Sequence, residues 1–147
     1  MAYFEAKVSL ERTSDNGEER KVKETYLVHA LSVTEAEAIV ISELQSEKEV
    51  NVISVKETKY DSVRFSRAND DRNRFYRVKT IYIQVDEKTK REKKTPKFIL
   101  VEAADFFEAV AETKEYHRNT VLDHEVAAIV ETAIVDVLDS ILDADFE

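Results

Sequence analysis

The chain has 147 residues, 43% hydrophobic and 36% charged, with a formal net charge of −9 and no cysteine. That balance supports a packed core in one domain of ordinary size, argues against disorder, and excludes disulfides, thiolate catalysis and cysteine-ligated zinc. Gly17 is the single glycine and Pro96 the single proline. Phosphate-cradling loops need several glycines at positive φ, which excludes the nucleotide-dependent enzymes built on them.

In chain order, Phe4, Ala6, Val8 and Leu10 alternate with Glu5, Lys7 and Ser9, which predicts a strand with one face buried. Ser14-Asp15-Asn16-Gly17 is a turn signal, and Val22, Tyr26, Val28 and Ala30 predict the returning strand. Ser32 with Glu35 reads as a capping box, in which the serine caps a free backbone N–H and the glutamate reaches back. The helix it opens runs to about Leu44, with Ala36, Ile39, Val40 and Leu44 as its apolar stripe. Val50 to Tyr60 predicts a third strand, and the polar stretch Asp61 to Asn73 a linker.

The same series then recurs. Leu27 to Ala38 aligns with Leu100 to Ala111 at an offset of 73, with six of twelve pairs identical. Tyr3 to Lys7 aligns with Phe75 to Lys79 at 72, and Val55 to Thr58 with Ile129 to Thr132 at 74. Loops tolerate the single-residue drift that elements do not. Asp105 and Glu108 repeat the cap; Phe106, Ala109, Val110 and Thr113 form the second helical stripe, which ends about His117, and Val126 to Val135 is the closing strand. The second copy's first strand also carries Phe75, Ile81 and Ile83 on its other face, predicting cover on both sides.

The expected fold is therefore α+β, a tandem duplication of a ββαβ unit with one helix per repeat and antiparallel sheets about a pseudo-twofold axis. Its boundaries are 1–62 for repeat 1, 63–73 for the linker, 74–138 for repeat 2, and 139–147 for an acidic tail or short helix. The sheet order within a repeat should be second, first, third strand, in one six-stranded sheet or two separate sheets.

The residues Tyr3 to Val8, Tyr26 to Ala38, Phe75 to Lys79 and Ile134 to Val137 resemble those of an uncharacterised domain family of gut Bacteroidota and their bacteriophages, crAss-like phages included. The resemblance runs to about Leu138. It implies the fold and a phage-type setting, and no activity comes with it.

Charge is unevenly spread. Between Arg72 and Lys97 lie ten positive residues (Arg72, Arg74, Arg77, Lys79, Lys88, Lys90, Arg91, Lys93, Lys94 and Lys97) against three acids. Interleaved with Phe75, Tyr76 and Tyr82, they are the ingredients of a single-stranded DNA or RNA groove, with cations on phosphates and aromatics on bases. From Glu131 onward there are six acids and no base. Asp139, Asp143, Asp145, Phe146 and Glu147 loosely resemble the acidic, aromatic-ended tails with which single-stranded-DNA-binding proteins recruit partners. Ile134, Val137, Leu138, Ile141 and Leu142 also fit helical spacing, so docking on the body or on a second subunit of a homo-oligomer stands beside the tail reading.

No stretch approaches the roughly 18 apolar residues of a membrane span, and Met1 to Leu10 lacks the apolar core of a signal peptide. The expectation is a cytoplasmic protein without a cofactor. His117 and His124, with Asp123 and Glu125, are weighed as a metal site and read as solvated loop histidines, and His29, replaced by Glu102 in the second copy, is given no catalytic role. No nucleophile is joined to a base, so the expected function is non-enzymatic binding of single-stranded nucleic acid. A protein-interaction module (a virion component or an inhibitor of a host defence enzyme) is the alternative, and a small-ligand binder at the repeat interface a third.

Overall fold

A computed structural model describes residues 1–66 and 72–139. Ten elements follow one another: β1 (Ala2–Thr13), β2 (Glu19–Ala30), α1 (Val33–Glu43), β3 (Lys48–Thr58), β4 (Ser62–Arg64), β5 (Arg74–Val85), β6 (Glu92–Ala103), α2 (Phe106–His117), β7 (His124–Glu131) and β8 (Ile134–Asp139). They form two four-stranded sheets, β3-β1-β2-β8 and β4-β6-β5-β7. The first unit holds Met1–Lys59 with the segment from Ala133, and the second holds Tyr60–Thr132. The architecture is α+β.

The order second, first, third strand is found in both sheets, and each has one helix. Three strands of each are antiparallel. The fourth departs from the antiparallel expectation: β8 pairs with β2 in parallel, and β4 with β6 in parallel. Both sheets are therefore mixed, and among the described residues the six strands read from the sequence are eight.

The closing strand expected over Val126 to Val135 is two strands. Thr132 ends the pairing with β5 by donating both its N–H and its hydroxyl to the carbonyl of Phe75, at 2.9 and 2.8 Å. The chain then leaves that sheet, and β8 joins the first one. Residues 134–139 are thus a strand rather than the start of a helix, with Ile134 and Leu138 buried. Within the expected linker, β4 completes the second sheet.

Local chemistry explains the long hairpins. Gly17, at φ 84°, takes the left-handed conformation two residues before β2 begins. The second hairpin puts Lys90 there, at φ 56°, a conformation that costs an L-residue roughly 1–2 kcal/mol. Asp86 supports that turn by accepting the N–H of Lys88 on its side chain at 2.9 Å. Both edge strands bulge at matching places: pairing skips Ile53 opposite Lys7 and Val8, and Ala127 opposite Lys79 and Thr80.

Both helices start on the expected caps. Ser32 Oγ accepts the N–H of Glu35 at 3.1 Å, and Asp105 Oδ1 accepts that of Glu108 at 2.8 Å. Glu108 reaches back to the N–H of Ala104 at 2.9 Å. Ala36, Val40 and Leu44 drop from α1 onto Phe4, Ala6, Val8, Leu10, Tyr26 and Val28 to make the first core. In α2 the buried stripe is Ala109, Thr113 and His117. It is rotated from the expected one: His117 joins Ala109 and Thr113, while Phe106 is about half exposed and Val110 partly buried. The expected cover on both faces of β5 is seen at Phe75, which is buried, while Ile81 and Ile83 are partly buried.

Deleting the Leu10 side chain removes a fully buried group of the first core. Leu10→Ala is expected to cost about 2–5 kcal/mol, and Asp105→Ala, which removes only a cap, about 1 kcal/mol. Urea unfolding of the two variants measures the ranking, and the reverse order would contradict it.

Candidate functional site

The cations expected to form one nucleic-acid surface separate into four groups. Arg72 and Arg74 lie at the start of β5, where Arg74 pairs with Glu131 at 3.2 Å. Arg74 to Val85 spans roughly 37 Å of extended strand, so these two stand far from the hairpin tip. Arg77, Lys79 and Lys94 point to the β5–β6 face away from α2, and Arg77 lies 5.9 Å from the Phe98 ring centroid. Lys93 and Lys97 point to the α2 side. Lys88, Lys90 and Arg91 form the tip.

Lys88, Lys90, Arg91, Lys93 and Lys94 are all exposed, and among the described residues none makes an ion pair. Phe75 is a correction. It is 3% exposed and has no face to offer a base. Asp139 is another: it belongs to β8, and its carboxylate meets His29 Nδ1 at 2.9 Å, beside the stacked Tyr3 ring. Asp143, Asp145, Phe146 and Glu147 lie outside the described residues.

Comparing the two units position by position reveals what sequence reasoning missed. In the first unit, Val8 pairs with Glu24, Leu10 with Val22 and Arg12 with Arg20. In the second, Thr80 pairs with Lys97, Tyr82 with Thr95 and Gln84 with Lys93. Counting from each helix cap, Val40 matches Thr113, Leu44 matches His117 and Glu47 matches Thr120. Apolar residues with two arginines and two glutamates in one unit are uncharged polar residues, a tyrosine, a histidine and two lysines in the other.

The consequence is structural. In the first unit a side-chain network spans the region past the helix end. Arg12 makes a double hydrogen bond to Glu24 at 3.1 and 3.0 Å and reaches Glu47 at 3.0 Å, while the Tyr26 hydroxyl donates to Glu24 at 2.6 Å. Burial pushes the Glu24 carboxyl up, but the bonds from Arg12 and Tyr26 outweigh it and hold the group below its ordinary range. The Arg12 guanidinium is held above its own range, chiefly by the bond to Glu24.

In the second unit the same region is open. A cavity of about 110 Å³ lies under the end of α2, lined by Asp61, Thr80, Tyr82, Lys97, Ile99, Tyr116 and His117. An outer cleft of about 420 Å³ adjoins it, lined by Tyr82, Gln84, Thr95, Lys97, Thr120 and Leu122. Tyr82 and Lys97 line both, with Lys97 Nζ 5.7 Å from the Tyr82 ring centroid. Lys93, paired with Gln84, continues the lining residues toward the tip.

His117 sits at the inner end. It is 7% exposed, unlike the solvated loop histidine the sequence suggests, because it ends the buried stripe of α2. Its Nε2 meets Thr80 Oγ1 at 2.9 Å, whereas Nδ1 is buried without a hydrogen-bond partner. The His124 ring lies 4.7 Å away and the Tyr82 ring 6.2 Å. Burial also pushes the Tyr82 hydroxyl up, helped by Tyr116 and Asp61. Among the described residues, no three of His, Asp or Glu gather as a metal set, and no helix is long and apolar enough to cross a membrane.

His117 titrates below its ordinary value, first through burial and then through His124. The unfolded chain takes up a proton near pH 6.5, where the native chain refuses it. This contribution to stability is full above about pH 6.5 and is lost as pH falls toward the lower native pKa. The urea midpoint should therefore drop more between pH 7.5 and 5.5 in the natural chain than in His117→Leu. Equal drops would show that His117 does not carry the effect.

No curated protein and no solved structure matches the chain. A family model does, over residues 2–140, a span that takes in both caps, both hairpins and every residue of the open groove. The chain belongs to the family of the domain of unknown function DUF4494.

Proposed function

We propose that this chain is a non-enzymatic, phage-type binding protein that holds single-stranded nucleic acid along the second unit's hairpin. One observation carries the reading: the α2 side of that hairpin is open where a side-chain network spans its counterpart, and it leads from Tyr82 and Lys97 to Lys93 and the tip cations Lys88, Lys90 and Arg91, all exposed and, among the described residues, without ion pairs. Tyr82 supplies an aromatic face, and Lys97 and Lys93 follow the backbone toward Lys88, Lys90 and Arg91. Such a surface tolerates any sequence, since every base has a face to stack and every nucleotide a phosphate. Lys90 adds to this reading. A lysine is kept at a backbone conformation that favours glycine, as strain at functional positions often requires.

We further infer that the two units descend from a tandem duplication of a ββαβ unit. The matched caps, bulges and strand orders support that origin. The first unit then keeps the scaffold role, and the second acquires the ligand. Residues 140–147 serve in this reading as an acidic segment for protein partners, in the cytoplasm of an infected bacterium.

Binding of a fluorescent 20-mer is expected to weaken steeply with salt, because each neutralised phosphate releases counterions. Joint charge reversal at Lys90, Arg91, Lys93 and Lys94 should abolish binding. Tyr82→Ala should weaken it by about 1–3 kcal/mol, the usual worth of one stacked base. Fluorescence anisotropy measures all three, and no binding at low salt would refute the proposal.

A further inference from the structure

The inner cavity asks for a different ligand chemistry from the cationic tip. We infer that it is a binding site for one six-membered heterocyclic ring whose edge carries both hydrogen-bond donors and acceptors, as a pyrimidine does. Size sets the first limit. A dry cavity of roughly 150 Å³ admits benzene, and this one, at about 110 Å³, takes part or all of one ring, so that a fused pair would have to extend beyond it into the cleft.

The lining sets the second limit. Asp61 only accepts, Lys97 only donates, and the hydroxyls of Tyr82 and Tyr116 do either. A bare anion at this place meets the Asp61 carboxylate. An apolar guest takes water from the Asp61 carboxylate and the Lys97 ammonium and gives no hydrogen bond in return. A ring with a mixed polar edge satisfies both.

The comparison within the chain makes this more than a packing defect. At the matching positions the first unit has Val8, Leu10 and Leu44, all buried in a continuous apolar core. The second unit has Thr80, Tyr82 and His117, and a cavity instead. Tyr82 and Lys97 line both spaces, so a ring entering from the cleft passes the aromatic face first.

Two sources can supply such a ring: a base of a bound strand, or a free nucleoside. The first rests on the function proposed above; the second does not. The experiment therefore has two arms. Oligo(dT) and oligo(dA) of equal length are compared by anisotropy, and free thymidine and adenosine are titrated while the His117 ring nitrogens are followed by NMR. The natural chain is expected to favour oligo(dT) by about tenfold, the worth of a hydrogen bond or two. Thr80→Val and His117→Leu, which install the first unit's residues, should bring that preference below about twofold and leave the salt dependence unchanged. Either variant suffices if the other fails to fold, as circular dichroism will show.

Thymidine, and not adenosine, should shift the His117 resonances. A thymidine shift without oligonucleotide binding upholds the ring site and refutes the nucleic-acid function. Equal affinity for both oligomers, with no shift from free thymidine, overturns the inference and leaves a water-filled pocket beside a phosphate-binding hairpin.

Discussion

A helix is short for its length and a strand is long. The 12 residues of α2 rise roughly 18 Å, whereas the 12 residues of β5 extend for roughly 40 Å. One helix laid on such a hairpin must leave the far half uncovered, and each unit has to deal with that remainder. The first unit fills it with Leu10 and Val22 and closes it with the Arg12, Glu24, Glu47 and Tyr26 network. The second leaves it open. Most of what distinguishes the two units follows from those two answers to one geometric shortfall.

The network in the first unit is modest as a source of stability. Arg12 is 39% exposed in its side chain, and a pair that wet is worth under about 1 kcal/mol. Its effect is to occupy the space past the helix end. At the matching positions the second unit has Gln84, Lys97, Thr120 and Ile99, so a lysine stands where the first unit has Glu24 and lines a cavity with His117, whose pKa burial lowers. A site can thus arise on a sheet by removing closure, with the hydrogen-bonded frame untouched.

Much of the fold is legible in the residues. The alternation of Phe4, Ala6, Val8 and Leu10, the caps at Ser32 and Asp105, and the offsets near 73 lead directly to the strands and helices found. Those signals are local, and local chemistry decides them. The partners of β4 and β8 are invisible because three to six residues of strand carry no mark of which edge they will join. Periodicity also fits a helix through Ile134, Val137 and Leu138, and only the sheet edge beside β2 makes it a strand. At the site, the cations are legible as a run of charge, but their division between two faces and a tip depends on register. The pocket is harder. Thr80, Tyr82 and His117 are unremarkable one at a time and acquire meaning only beside Val8, Leu10 and Leu44.

The parallel edge strands bear on how the chain is made. β8 completes the sheet that begins with β1, and the pair His29 and Asp139 that secures it spans 110 residues. A ribosome works from the N-terminus, so β2 emerges long before its outer neighbour exists. Until Ile134–Asp139 is synthesised, that edge presents unpaired amides and carbonyls to whatever else is nearby. Contacts so distant in sequence also slow folding, because loop closure precedes any gain from pairing. The first unit, although first in order, is therefore the last to be finished, and its maturation waits on the translation of the second.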